Sequence, residues 1–413
     1  MSISTRLAGT VVAVLAGLSV PLGAQQGDWT QWRGPNRDGV APAAADPAAW
    51  PSSLTQRWKV DVGLGYATPL VVGDRIYQFA RQGEREVMMA LDAGSGAVLW
   101  ETGYAAVFEM MSATTQHGPG PKATPVFHEG RLYTIGMTGV VTSYDAASGR
   151  QLWQKPGAPD DLPLFTTHAF SPIIEGRTVI FHLGGDQEGA ITAFDLDSGD
   201  IRWTWRGDPP GYGSPVAAEL GGTRQIVAVT KGMLVGLDAS SGALLWQRPW
   251  ESPNFTNSNT PAVTGDLVIV SGNGPPTTAF RVRRQGTSWT VEPAWENADV
   301  PMRLSDAVVA GDTFFGLSTR NAGQYFAVDV PTGKTLWTSA GRQAQHAAIA
   351  RAGDLLFSME EDGELVVLRN SRTGFEELHR YKVSEEATWP QPSYSGNRVF
   401  VKDVSSLALW TLD

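Results

Sequence analysis

Five times in this chain an aspartate is followed four residues later by a glycine and eight residues later by a tryptophan. The sets are Asp92/Gly96/Trp100, Asp145/Gly149/Trp153, Asp195/Gly199/Trp203, Asp238/Gly242/Trp246 and Asp329/Gly333/Trp337. A serine or threonine precedes the glycine each time. Self-similarity of this kind indicates a repeat architecture, in which each unit buries its apolar faces against its neighbours. The repeat therefore constrains the fold before any single residue is considered.

The first complete unit has the pattern of a four-stranded antiparallel sheet. Thr68-Pro69 opens a short apolar run, Gly73-Asp74 is a hairpin signal, and Arg75–Ala80 alternates between two faces. A third strand leads into the turn Asp92–Gly96, and a fourth strand carries Trp100. In such a turn the aspartate and the serine accept backbone N–H groups, and the glycine adopts a left-handed conformation without steric cost.

The same order of strands recurs to the end of the chain. Further units open at Thr124-Pro125, Ser171-Pro172, Ser214-Pro215 and Thr260-Pro261, then near Ser305 and near Ala347. The last unit, Trp389–Asp413, supplies three strands, and Leu54–Asp61 has the sequence pattern of the missing fourth strand. Joining the two chain ends closes a ring and removes its exposed edge. The sequence therefore predicts an all-β fold, an eight-bladed β-propeller of four-stranded antiparallel blades over residues 54–413, with the last blade closed by an N-terminal strand.

One tryptophan stands in the fourth strand of most units. Such residues are spread around a ring and not gathered at one site, so we expect them to fill the gaps between adjacent twisted sheets. The predicted docking tryptophans are Trp58, Trp100, Trp153, Trp203, Trp246 and Trp337. The fifth unit lacks the turn motif and offers Trp289 or Trp295, and the seventh has Leu378 at this position.

The N-terminus has the pattern of a Sec signal peptide, which we assign to residues 1–24. Arg6 is its only charge, and Leu7–Val20 is apolar or small. The alternative, a retained membrane anchor, is disfavoured by the short, Gly- and Ala-rich run. The chain has no cysteine, so it lacks disulfides, haem thioethers and the lipidated cysteine of a lipoprotein. We expect a periplasmic or secreted protein with no transmembrane segment in the mature chain.

Residues 25–53 form a separate N-terminal segment that carries Trp29, Trp32 and Trp50. It is too apolar to stay detached, so we expect it to pack on the propeller, across a face or against an outer blade edge. The alternative is a docking patch for another protein. The net charge of −10 is spread over interspersed acidic and basic residues. This pattern disfavours nucleic acid or an anionic membrane as the main partner, and we expect a monomer.

The repeat resembles a known family. Ala90–Trp100 reads Ala-Leu-Asp-x-x-Ser-Gly-x-x-Leu-Trp, which is similar to the tryptophan-docking signature of the PQQ-like β-propeller repeat family. Trp29–Gly39 resembles the stretch that follows the signal peptide in many bacterial secreted members. The resemblance implies one of two branches. Quinoprotein dehydrogenases hold pyrroloquinoline quinone (PQQ) and calcium on the propeller axis, whereas non-catalytic propellers such as the BamB outer-membrane assembly lipoproteins bind other proteins.

Residues just before the first strand of each unit should share one rim of the ring, near the central channel. The candidate ligand-binding residues are Tyr66, His117, Lys122, His168, Tyr212, Asn257, Asn259, Arg303, Asp306, His346 and Trp389. Such a funnel suits an anionic or polyhydroxylated ligand, or a loop of a partner. The alternative is a polar, water-filled mouth without a ligand. The histidines lack the spacing of a helical metal motif, so we expect no zinc or other transition metal.

The two branches differ in the oxygen ligands that calcium requires. Asn257 or Asn259 with Asp306 offers such oxygens, but the nearest second carboxylate is Glu109, in a loop between blades. We therefore predict an exported, non-catalytic binding or scaffold propeller of the bacterial cell envelope, without catalytic residues or cofactor. Its partner would be an envelope protein or a small ligand at the rim. The alternatives are a PQQ- and calcium-dependent alcohol or sugar dehydrogenase and a carbohydrate-binding propeller, the latter suggested by Tyr66, Tyr212 and Trp389.

Overall fold

The computed structural model describes residues 27–41, 50–110, 114–115, 118–157, 167–253 and 256–412. These residues form eight sheets of four antiparallel strands each. The predicted eight-bladed propeller is thereby confirmed, whereas the predicted signal peptide, residues 1–24, lies outside the described residues. A short 3-10 helix spans Arg320–Ala322. Across the described ranges, no helix has the length and apolarity needed to cross a membrane.

The strands are numbered in chain order, and blades 1 to 4 each take four consecutive strands. Blade 1 comprises β2 (Leu70–Val72), β3 (Arg75–Gln82), β4 (Arg85–Asp92) and β5 (Val98–Ala105). Blade 2 comprises β6 (Val126–His128), β7 (Arg131–Ile135), β8 (Val141–Asp145) and β9 (Gln151–Lys155). Blade 3 comprises β10 (Ile173–Glu175), β11 (Thr178–Gly184), β12 (Gly189–Asp195) and β13 (Ile201–Arg206). Blade 4 comprises β14 (Val216–Leu220), β15 (Thr223–Val229), β16 (Met233–Asp238) and β17 (Leu244–Pro249).

Blades 5 to 7 follow the same rule, and blade 8 combines the two chain ends. Blade 5 comprises β18 (Ala262–Thr264), β19 (Leu267–Val270), β20 (Thr277–Gln285) and β21 (Ser288–Asn297). Blade 6 comprises β22 (Val308–Ala310), β23 (Thr313–Ser318), β24 (Gln324–Asp329) and β25 (Thr335–Thr338). Blade 7 comprises β26 (Ala347–Ala352), β27 (Leu355–Glu360), β28 (Glu364–Arg369) and β29 (Glu377–Lys382). Blade 8 comprises β30 (Ser393–Ser395), β31 (Arg398–Lys402), β32 (Ser406–Thr411) and β1 (Thr55–Asp61).

The ring closes where the prediction placed the closure. Strand β1 pairs antiparallel with β32, with Lys59 opposite Ala408 and Asp61 opposite Ser406. The first strands of neighbouring blades contact one another, β2 with β30 and β22 with β26 among them. The first strand of each blade therefore lines the central channel, and the fourth strand lies at the outer edge. Since the last blade is completed by the first strand of the chain, the ring has no unpaired blade.

The serine or threonine before the first strand ties blades 1 to 4 together in sequence. The Thr68 N–H donates to Thr124 Oγ1 at 3.0 Å, and the Thr124 N–H donates to Ser171 Oγ at 2.9 Å. The Ser171 N–H donates in turn to Ser214 Oγ at 3.0 Å. A backbone N–H buried at the channel edge has no ladder partner and needs another acceptor. The hydroxyl groups of the Ser/Thr-Pro openings supply these acceptors.

The repeated tryptophans contact the turn of the following blade. Trp58 Nε1 donates to Ala93 O, Trp100 Nε1 to Ala146 O and Trp153 Nε1 to Leu196 O, each at 3.1 Å. The acceptor is the residue after the motif aspartate in all three cases. Trp337 Nε1 donates to Ser371 O at 2.8 Å, and in blade 5 Trp295, not Trp289, donates to Val330 O. The other two predicted docking residues differ: Trp246 Nε1 donates to Gln225 Oε1 of its own blade, and Trp203 Nε1 is buried without a partner among the described residues.

The N-terminal residues 27–41, here named the channel segment, lie inside the ring. The backbone of Trp29 exchanges hydrogen bonds with Val71 of β2, and Thr30 O accepts from Phe127 N of β6. Ala41 N donates to Arg351 O of β26. The sequence expectation placed these residues across a face or at an outer edge. They lie instead in the channel because the first strands present unpaired backbone groups there, a feature of the assembled ring that no single repeat reveals.

Trp50 follows a different path from the channel segment. Its ring lies 5.1 Å from that of Phe357 and 6.0 Å from that of Tyr381, both on blade 7. The Tyr381 hydroxyl donates to Pro51 O. Trp50 therefore packs on blade 7, within an apolar cluster that extends to Phe400 of blade 8 and Val71 of blade 1.

Candidate ligand site at the channel mouth

A cavity of about 260 Å³ opens at the rim where the segments before the first strands meet. Seven of the predicted rim residues line it: Tyr66, Lys122, Tyr212, Arg303, Asp306, His346 and Trp389. Trp32 and Arg33 of the channel segment line it as well. Because this segment lies within the ring, the two side chains close the cavity from the channel side. The mouth is therefore a blind pocket and not an open pore.

Three other predicted rim residues are buried in the blade packing. The ring nitrogens of His168 lie 3.3 Å from Met137 O and 3.0 Å from Gly184 O. Asn257 Nδ2 donates to Trp250 O at 2.7 Å, and Asn259 Nδ2 donates to Ser305 O at 2.6 Å. These side chains hold loops together and do not line the cavity. The last predicted rim residue, His117, lies outside the described residues.

One wall of the cavity is aromatic. The His346 ring stacks on Trp389 with centroids 5.0 Å apart, and Tyr66 lies 6.2 Å from Trp389. Lys122 Nζ sits 5.4 Å from the centroid of Tyr66, within the range of a cation–π contact. Burial lowers the pKa of His346, so its imidazole is neutral at pH 7. This wall suits an apolar or ring-shaped part of a ligand or of a partner side chain.

The charged groups of the cavity leave it positive. Asp306 accepts from Thr260 N at 2.7 Å, and its other oxygen lies 3.5 Å from Arg33 Nη1, so this acid and this base offset each other. Lys122 Nζ donates to Gly118 O and Gly120 O, and burial lowers its pKa to about 8. Arg303 makes no ion pair within the described part of the chain. Two cations thus face a cavity of a protein whose net charge is −10.

The repeats match those of a known protein family. The family model described as outer membrane protein assembly factor BamB matches residues 48–205 and 84–339 of the chain. The chain belongs to this BamB family. Its relatives include BamB of Shewanella oneidensis, 23% identical over 66% of this chain and 71% of that protein. BamB of Burkholderia pseudomallei is 25% identical, over 69% of this chain and 68% of its own.

Similarity to quinohemoprotein alcohol dehydrogenases is also present, in sequence over a smaller part of the chain and in structure over most of it. The quinohemoprotein alcohol dehydrogenase ADH-IIG of Pseudomonas putida is 27% identical over 40% of this chain and 24% of that enzyme. Among solved structures, BamB from Moraxella catarrhalis matches with a TM-score of 0.61 at 17% identity, covering 87% of this chain and 97% of its own. The quinohemoprotein alcohol dehydrogenase of Comamonas testosteroni matches with a TM-score of 0.64 at 14% identity, covering 94% of this chain and 81% of its own. These structural matches support the fold alone.

The cavity residues do not fit calcium and a quinone. Calcium takes six to eight oxygen ligands, several of them carboxylate. Asp306 is the one carboxylate among the described lining residues, and its oxygens already face Thr260 N and the guanidinium of Arg33. Glu109, Asn257 and Asn259 do not line the cavity, so their oxygens do not face an ion placed there. A guanidinium beside the single carboxylate would also repel a divalent cation.

The N-terminal segment contributes two side chains to this site that the repeat pattern does not predict. Trp32 Nε1 donates to Thr260 Oγ1 at 3.0 Å, so the indole is fixed against blade 5. Arg33 Nη2 donates to Ala307 O at 2.5 Å in blade 6. The signal available in the sequence was the pairing of tryptophans with arginines in a segment outside the repeats. Two buried arginines need acceptors, and the inner edges of the blades supply them.

Proposed function

We propose that the protein is exported and acts as a non-catalytic binding or scaffold propeller of the bacterial cell envelope. The carrying observation is the blind cavity at the channel mouth, with its aromatic wall and two cations. Membership of the BamB family supports an envelope role, and the pattern of residues 1–24 supports export. The mismatch with a calcium site disfavours the quinone-dependent alternative.

The chemistry of the cavity suggests what it contacts. Lys122 and Arg303 favour a carboxylate or another anionic group, and Trp389 with Tyr66 favours an apolar body next to that group. An acidic residue beside an apolar one on a loop of an envelope protein has both properties. Complementary charge would also speed the encounter of the two surfaces and make it sensitive to salt.

Site-specific photo-crosslinking in cells tests this proposal. A photoreactive amino acid replaces Tyr212 or Arg303 at the cavity, and Ile201 on the outer strand β13 serves as the control. Ile201 is 61% exposed, so it is as accessible as a rim position but lies on the ring's outer edge. We expect a discrete adduct from the rim positions, identified by mass spectrometry and lost when Lys122 is changed to Glu. Equal adducts from Ile201, or none from the rim, would argue against the rim as the contact surface.

Two alternative functions have direct tests. Adding PQQ and calcium to the purified protein should give no saturable spectral shift and no dye reduction with an alcohol or an aldose. A saturable shift with turnover would establish the quinone enzyme and overturn the proposal. The aromatic residues Tyr66, Tyr212 and Trp389 favour carbohydrate as a second candidate ligand, which a glycan array would reveal. Specific glycan binding abolished by Trp389→Ala would place a sugar, not a protein, in the cavity.

A further inference from the structure

The channel segment touches every blade of the ring. Its backbone pairs with blades 1, 2 and 7, through Trp29 with Val71, Thr30 with Phe127 and Ala41 with Arg351. Its side chains reach the other five blades. Trp29 packs edge-on against Tyr394 of blade 8. Trp32 donates a hydrogen bond to blade 5 and Arg33 donates one to blade 6. Arg37 donates hydrogen bonds to blades 3 and 4.

Arg37 makes the most concentrated set of these contacts. Its Nε donates to Pro215 O at 2.9 Å, its Nη1 to Pro172 O at 2.8 Å and its Nη2 to Ser171 O at 3.0 Å. Nη1 also lies 3.2 Å from Gln31 Oε1 of the same segment. The residue is only 4% exposed. Burying a guanidinium is costly unless its donors are satisfied, and here three backbone carbonyls from two blades satisfy them.

The composition of the inner wall explains why it selects a guanidinium. Each first strand has one edge that faces the channel and no further strand. Proline at the opening of the strand, as at Pro172 and Pro215, removes an N–H and keeps a carbonyl. Several N–H groups at this level are already paired with side chains of the next blade, as Ser171 N is with Ser214 Oγ and Thr260 N with Asp306 Oδ1. The wall therefore presents carbonyl oxygens in excess, which attract a planar cation with several donors.

The conformation of the channel segment indicates that the wall imposes it. Arg33 and Arg37 both have positive φ, 59° and 60°, a conformation that is uncommon for residues other than glycine. Such strain persists where the surroundings over-determine the conformation. Gly39 has φ +75°, and a Cβ there would lie 2.7 Å from Val308 Cγ1. The segment is shaped to this channel and fills it tightly.

We propose that the inner wall of the channel is a peptide-binding site that recognises guanidinium groups through unpaired backbone carbonyls, with this chain's own channel segment as its occupant. Arg37 is the anchor. The segment remains bound when its covalent link to the ring is cut, and it forms the floor of the rim cavity from within the same chain. This site does not depend on what binds at the rim. A negative result in the test below therefore leaves the crosslinking result unaffected, and the reverse also holds.

A cut after folding tests the proposal with the full chain. A protease recognition sequence is inserted between Ala41 and Trp50, and the folded protein is then cleaved. We expect the N-terminal peptide to co-elute with the ring in gel filtration, and native mass spectrometry to find one peptide per ring. The change Arg37→Ala should speed release of the peptide by about a hundredfold or more, because it removes three hydrogen bonds from a charged donor.

The control is Arg177→Ala. Arg177 is 73% exposed and pairs with Asp197 on the surface of blade 3, so its loss should leave the peptide bound. Near-UV circular dichroism of the uncut variants checks that the ring has folded. Loss of the peptide from the cut wild-type ring on the first passage would overturn the proposal. If the Arg37→Ala ring retains the peptide as well as the wild-type ring does, Arg37 is not the anchor. If the rings form dimers that exchange peptides, the segment does not occupy the channel of its own chain.

A second measurement needs no variant of the anchor. Methylguanidinium at millimolar concentration should speed release of the peptide from the cut wild-type ring, because it competes for the carbonyls of Ser171, Pro172 and Pro215. Tetramethylammonium at the same concentration has the charge but no N–H donors and should have no effect. Equal effects of the two cations would show that charge alone, and not guanidinium recognition, holds the segment.

Discussion

Trp153 and Trp203 offer a matched pair for measuring one inter-blade hydrogen bond. Both are 8% exposed, and both stack on the motif glycine of the next blade. A Cβ on Gly199 would lie 2.7 Å from the Trp153 ring, and one on Gly242 would lie 2.3 Å from the Trp203 ring. The two indoles differ at Nε1: Trp153 donates to Leu196 O at 3.1 Å, whereas the Trp203 N–H is buried without a partner among the described residues.

Changing each residue to phenylalanine should therefore lower the free energy of unfolding by different amounts. Both variants lose a similar area of buried ring. Trp153→Phe also loses a hydrogen bond of about 1 kcal/mol, although Leu196 O keeps Arg131 Nη1 at 2.9 Å and the Tyr133 hydroxyl at 3.2 Å as donors. Trp203→Phe instead removes a buried unsatisfied donor, whose presence costs about 1–3 kcal/mol. We expect Trp153→Phe to be the more destabilising variant, by about 2 kcal/mol.

Equilibrium unfolding in urea measures this difference. The midpoint and slope of each transition give the free energy of unfolding, provided that unfolding is reversible and the slopes agree. Trp153→Ala sets the scale, with an expected loss of about 3–5 kcal/mol. If Trp203→Phe costs as much as Trp153→Phe, the hydrogen bond to the turn contributes nothing, and ring packing alone explains the docking.

Four further variants probe the turns, the rim and a buried acid. Gly199→Ala should destabilise the protein by about 2–4 kcal/mol in urea unfolding, because φ is +69° and the new Cβ would lie too close to the Trp153 ring. The matched control is Gly176→Ala, where φ is +56° but the surrounding space is open, and it should cost about 1 kcal/mol. Asp306→Ala should cost about 3 kcal/mol, because it leaves the buried Arg33 unpaired, and no loss would contradict that ion pair. Burial raises the pKa of Glu86 above its ordinary 4.5, so the contribution of Glu86 to the free energy of unfolding should be highest below pH 4.5 and fall as the pH rises through the raised pKa. Glu86→Gln should remove this fall, and an unchanged pH profile would refute the assignment.

The blades were predictable because their signals are local. The turn from Asp92 to Gly96 carries its own hydrogen bonds, from Ser95 N–H and Oγ to Asp92 Oδ1, and its glycine has φ +72°. The same bonds recur from Ser148 to Asp145 in blade 2. Ring closure was predictable for a related reason. The sequence of β1 repeats that of a fourth strand, and the C-terminal unit lacked one.

The site was only partly predictable because rim position does not fix side-chain direction. Asn257 precedes a first strand as Tyr212 does, yet its amide turns inward to Thr230 O and Trp250 O. That orientation depends on carbonyls of the preceding blade, which the repeat pattern does not specify. The position of Arg37 in the channel could not be predicted from the sequence for the same reason. Its acceptors lie more than a hundred residues away and meet only after the ring has closed.

The central claim is that the channel is closed from within by residues 27–41, which leaves the rim cavity as the contact site. Hydrogen exchange followed by mass spectrometry tests it in the unmodified protein. The N–H groups of Trp29, Gly39 and Ala41 are hydrogen-bonded inside the ring. We predict that peptides covering 27–41 exchange as slowly as those of the inner strands. Complete exchange of this segment within seconds, with the blades still protected, would contradict the claim.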